Sequence, residues 1–137
     1  MPANTTPSFV LTPNIGVGQI IATANTALDG TGTVATLFTA GSNGARVDYV
    51  LIKYTGTSIA TLARIFINNG SATTTASNNS LFAEQAIAAY TLSQTAAQAN
   101  IYVINLNIAL PASYRITATI GTTVAAGLTF SAYGGNY

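Results

Sequence analysis

The chain has 137 residues and a formal net charge of +1, from four basic and three acidic side chains, with no histidine and no cysteine. Charged residues make up 5% of it beside 49% apolar ones, whereas an ordinary soluble domain carries roughly 25% charged residues. That composition excludes thiol chemistry, disulfides and imidazole or thiolate metal sites, and it leaves too few clustered bases to neutralise a phosphate backbone.

Residues 1–16 read as an extended N-terminal arm. Pro2, Pro7 and Pro13 each remove an amide donor and bias the preceding residue toward extended backbone. Between and after them stand Phe9, Val10, Leu11 and Ile15. One reading is a frayed terminus. The other is a partner-binding tether that orders against a neighbour through those four apolar side chains, which a purely solvated tail does not need. The opening residues also lack the positive start and unbroken apolar run of a signal peptide.

Residues 17–137 read as one domain, and from Thr33 onward the period is two. Strands are expected at Ile20–Ala24, Thr33–Thr39, Arg46–Thr55, Leu62–Asn68, Tyr102–Leu110, Tyr114–Ile120 and Leu128–Ala132. The Arg46–Thr55 run is apolar on both faces, which predicts cover on both sides. In Tyr114–Ile120, Tyr114, Ile116, Ala118 and Ile120 share one face, while Arg115, Thr117 and Thr119 share the other. The glycines of Gly121–Gly127 predict that this strand and Leu128–Ala132 form a hairpin. A polar loop over 71–80 is read as the divider between two halves of the domain. Ala83–Ala99 stays open between a helix, favoured by Ala and Gln, and a strand over Leu81–Ile87 followed by loop; the strand is preferred. Seven or eight short strands with Gly, Asn and Pro punctuation predict an all-β fold: a single antiparallel β-sandwich, jelly-roll-like within that class, carrying the N-terminal arm.

Chemistry is hard to place on this chain. Lys53 is the only lysine, so a Ser–Lys dyad would depend on it, and its strand-end position suits a solvated edge residue better. Asp29 precedes Gly30 and reads as a turn. Asp48 stands two residues from Arg46, suggesting a same-face ion pair. Glu84 is expected to pair with Arg64 or Arg115 across a sheet. No catalytic residue, cofactor or metal is expected, and neither nucleic acid nor a membrane is expected as a partner. A chain of this length leaves roughly 6,700 Å² exposed when folded. With seven charges on such a surface, its wettability rests on 22 Thr, 12 Asn, 9 Ser and 4 Gln. Such a coat repels other proteins weakly, and association into an assembly is the expectation.

Several stretches resemble a group of small all-β virion proteins of tailed bacteriophages. They are Gly56–Gly70 (GTSIATLARIFINNG), Asn79–Glu84 (NSLFAE), Leu106–Gly121 (LNIALPASYRITATIG) and the chain end AYGGNY. The pattern of that group runs Gly-Thr-Asn, an Arg-containing strand ending in Asn-Gly, an acidic residue, Leu-Pro-Ala-Gly-Tyr, and a terminal Gly-Gly-Asp-Tyr. Ser58, Ser113 and Asn136 depart from it. The resemblance covers the chain from Gly56 onward. It implies a role like that of capsid decoration (cement) proteins: homotrimers on the outer surface of the virion, with a sandwich body and an arm, bridging neighbouring subunits of the major capsid protein after assembly in the bacterial cytoplasm. The alternative is a tail or fibre component that binds host-surface carbohydrate through Tyr and Asn side chains.

Overall fold

The computed structural model describes residues 9–137. Eight strands follow in order: β1 (Thr12–Ile21), β2 (Ala35–Thr39), β3 (Ala45–Tyr54), β4 (Thr61–Asn68), β5 (Asn79–Ile87), β6 (Tyr102–Leu110), β7 (Arg115–Ile120) and β8 (Leu128–Asn136). They form two four-stranded antiparallel sheets, ordered β1-β8-β3-β6 and β2-β7-β4-β5. Apart from a single 3-10 turn at Ala76–Asn78, the described residues contain no helix. The fold is thus all-β and sandwich-like.

The core follows from the alternation. Val47, Val50, Ile52, Ile104, Leu106, Leu128, Phe130 and Ala132 from the first sheet meet Leu37, Phe38, Ala63, Ile65, Ile116, Ala118 and Ile120 from the second. A register shift between Val47 and Tyr49 resets the alternation in β3, so both Val47 and Val50 point inward. Where the two sheets meet along β1 and β2, Gly16 lets the backbones approach. A Cβ there would sit 1.6 Å from the Leu37 carbonyl oxygen.

Three expectations are corrected. First, β7 and β8 are not a hairpin: β7 pairs with β2 and β4, β8 with β1 and β3, and Gly121–Gly127 crosses from one sheet to the other. Alternation reports which face is buried but not which strand lies alongside. Second, the 71–80 segment does not divide the domain. It joins the directly paired strands β4 and β5, with Asn68 opposite Asn79, and Asn side chains bind it together: Asn68 Nδ2 donates to Asn79 Oδ1 at 2.9 Å and Asn79 Nδ2 to Thr73 O at 2.9 Å. Third, the boundary drawn at residue 16 falls inside β1, which hydrogen-bonds to β8 from Thr12 onward despite Pro13. As an edge strand, β1 tolerates a residue without an amide donor. The portion of the predicted arm before Phe9 lies outside the described residues.

The open Ala83–Ala99 segment resolves into the strand β5 followed by a loop. Tyrosines and one glutamine tie that loop down. Gln98 takes the place of a missing strand partner, accepting from Tyr54 N at 3.2 Å and donating to Tyr54 O at 3.0 Å. The Tyr54 ring stacks on Tyr90 with centroids 5.0 Å apart and meets Tyr102 edge-on at 6.2 Å.

Candidate interaction surface

The two outer faces of the sandwich are treated differently. On the second sheet, Arg64, Phe66 and Asn68 of β4 lie beside Thr119, Thr117 and Arg115 of β7 and point away from the core. Phe66, Asn68, Thr117 and Thr119 are nevertheless buried. The connection from β1 to β2 crosses this face. Ala24 bridges Ile120, Asn25 N donates to Ile120 O at 2.8 Å, Arg64 Nη1 reaches Asn25 O at 3.4 Å, and Gly30 packs against Phe66 and Asn79. The Thr117 and Thr119 hydroxyls are buried there with no hydrogen-bond partner among the described residues.

On the first sheet no described segment crosses the outer face. One cross-strand row runs Ile15, Tyr133, Tyr49, Asn105, and the next includes Ser131, Leu51 and Val103. Tyr49 and Tyr133 stack with centroids 4.7 Å apart and planes 20° from parallel. Each thereby turns a ring face to the other, and the pair presents ring edges outward. Ile15, Val17 and Ile20 on the β1 edge and Val103 on the β6 edge are exposed. The charges on this face are Lys53 and the Arg46–Asp48 pair, joined at 2.9 Å between Nε and Oδ1. Such an ion pair of exposed side chains contributes little stability. An exposed apolar surface rimmed by polar and charged groups is the composition expected of a protein contact.

Of the four residues expected to bind a partner, Phe9 and Leu11 are 71% and 78% exposed. Val10 is less so, because its side chain lies over Gly135, and Leu11 N donates to Asn136 O at 2.8 Å. Ile15 belongs to β1 rather than to an arm and stands beside Tyr133. The four therefore continue the bare face along one edge. The alternation expected over Leu128–Ala132 stops one residue short of Tyr133; β8 runs on to Asn136, and the same period turns Tyr133 outward.

The charged residues stand apart. Glu84 Oε1 accepts from Arg64 Nε at 2.9 Å, so Arg64 rather than Arg115 is its partner, and Arg115 instead donates to Gly70 O. Asp29 Oδ1 accepts from the Thr31 hydroxyl at 2.6 Å and the Thr31 amide at 3.0 Å, which together hold its carboxyl below the usual range. Among the described residues no three carboxylates gather into a group that could hold a metal ion. Lys53 lines a shallow groove of about 390 Å³ with Leu92, Gln94, Gln98 and Ile101. No helix among the described residues is long and apolar enough to cross a membrane.

No protein-family model, curated protein or solved structure matches this chain.

Proposed function

We propose that this protein is a structural virion component that decorates and stabilises a bacteriophage capsid, as a homotrimer on the outer surface bridging major capsid subunits. The strand order β1-β8-β3-β6 facing β2-β7-β4-β5 supports reading the sandwich as a jelly roll, a fold built from two Greek keys. The observation that carries the functional reading is the bare outer face of the first sheet. It is largely apolar and centred on Tyr49 and Tyr133, its only charges being Lys53 and the mutually paired Arg46 and Asp48, beside a second sheet whose outer face the chain itself covers.

Burial of such a face against protein yields about 25 cal/mol per Å² of apolar area before the costs of association. Few charges must be desolvated in the process. A trimer engaging several shell subunits then gains avidity without any single strong contact. Phe9, Val10 and Leu11 extend the same surface beyond β1 and suit a tether to a neighbouring subunit.

The test is to add purified protein to undecorated capsids and follow binding by co-sedimentation, with the mass of the free protein measured by sedimentation equilibrium. Binding by a trimer, weakened when residues 1–11 are removed, supports the proposal. Deleting further would cut into β1 and confuse loss of contact with loss of fold. A protein that stays monomeric and ignores capsids, yet binds glycans, would overturn it.

A further inference from the structure

Three residues precede a glycine with a side chain able to close a five-membered imide on the next backbone nitrogen: Asp29–Gly30, Asn43–Gly44 and Asn69–Gly70. Closure requires the side-chain carbonyl carbon to swing onto that nitrogen, and glycine, lacking a Cβ, leaves the approach open. The fold restrains two of the three pairs. Asp29 is a carboxylate fastened to Thr31 through Oδ1. Asn69 is held at both ends of its amide: Oδ1 accepts from Ser71 N at 3.0 Å and Nδ2 donates to Asn78 Oδ1 at 3.2 Å. The attacking atom is held as well, since Gly70 N donates to Asn68 Oδ1 at 2.9 Å.

Asn43 differs. It is exposed in the turn Gly41–Gly44 that joins β2 to β3, and among the described residues its side-chain amide makes no hydrogen bond. Gly44 N donates to Gly41 O at 3.1 Å, within the same turn. The electrophile is thus free to rotate, and the nucleophile is restrained by one short-range bond.

We propose that Asn43 is the deamidation site of this protein. The Gly44 nitrogen loses its proton and bonds to Asn43 Cγ, the Cγ–N bond of the amide breaks, and ammonia leaves. Water then opens the imide to aspartate or isoaspartate. No oxidant or reductant takes part, and water is the only co-reactant. The product is a fourth carboxylate three residues before Arg46, and it moves the formal net charge from +1 to 0. A net charge near zero favours association, so ageing at this one position shifts the chain further toward assembly.

The test incubates the full-length folded protein in mildly alkaline buffer beside free peptides spanning 39–48 and 65–74, with tryptic mass mapping over time. The peptides should convert at similar rates. In the folded protein, the fragment ending at Arg46 should gain one mass unit at Asn43 about ten-fold faster than Asn69 converts, the scale set by the hydrogen bonds that hold Asn69. Asn43→Gln should abolish that gain, and Asn78→Ala, which frees the Nδ2 end of the Asn69 amide while Ser71 N still holds Oδ1, should speed conversion at Asn69. Equal rates at Asn43 and Asn69 in the folded protein would overturn the proposal. So would an unreactive Asn43 while its peptide converts, or a gain in that fragment that survives Asn43→Gln.

Discussion

Tyr49 and Tyr133 stand opposite each other on β3 and β8, their rings stacked at 4.7 Å in the middle of the uncovered face of the first sheet. A stacked pair contributes about 1 kcal/mol beyond its buried area, too little to explain two large aromatic side chains left half-buried beside exposed Ile15 and Val103 on the same face. The protein contact proposed above gives them a role. Tyr133→Lys should reduce self-association or capsid binding at least ten-fold, seen by sedimentation and co-sedimentation. The same change should lower the melting temperature by only about 4 °C, the shift expected for about 1 kcal/mol in a domain of this size.

Gly16 makes a different kind of demand. Because a Cβ at this position would overlap the Leu37 carbonyl, Gly16→Ala must part β1 from β2 along the seam between the sheets. The expected loss is about 2 kcal/mol, typical of overpacking against backbone that cannot yield. Gly18→Ala is the comparison: its Cβ meets nothing within 4 Å, but its φ of +65° carries its own strain, so a smaller loss is expected. Chemical denaturation of both variants measures the difference.

The hydroxyls of Thr117 and Thr119 run against the usual rule that buried polar atoms are paired. Removing an unpaired buried hydroxyl while keeping the shape should help. Thr117→Val and Thr119→Val are each expected to raise stability by about 1 kcal/mol, read from the midpoint of denaturation. A loss of similar size in either variant would mean that the hydroxyl is paired in solution.

Alkaline pH should loosen the fold through Tyr54. Burial, and then its hydrogen bond with Tyr102, push the Tyr54 hydroxyl up to about 12. An unfolded tyrosine titrates near 10. Below about pH 10 both states keep the proton, and the stabilisation is fully present. Between about 10 and 12 the unfolded chain releases its proton while the folded one holds it, so stability falls as pH rises through that window. Tyr54→Phe should lower stability at neutral pH, by losing the bond to Ala88 O, and should flatten the decline above pH 10. Thermal melts across that range check both effects.

Much of this architecture was legible in the chain itself. The strands β3, β4, β6 and β7 fall within one residue of the expected bounds, because runs of apolar residues ended by Gly, Asn or Pro mark them; the cover expected on both sides of β3 is not found, since its outer face stays open. The Arg46–Asp48 pair was legible too, being local. Whether Ala83–Ala99 formed helix or strand was not, because alanine serves either face equally; pairing of β5 with β4, and of Gln98 with Tyr54, settled it.

By itself, then, the sequence determined an all-β chain, the side chains able to form its core, and a coat almost without charge. Those properties depend on residue type and on spacing of a few positions. Only the tertiary structure decided that β7 and β8 belong to different sheets, that the β1–β2 connection hides Thr117 and Thr119, and that Tyr133 meets Tyr49 on a face left open. These rest on pairings between residues about 50 to 120 positions apart, which arise from closing the whole sandwich and which no local pattern encodes.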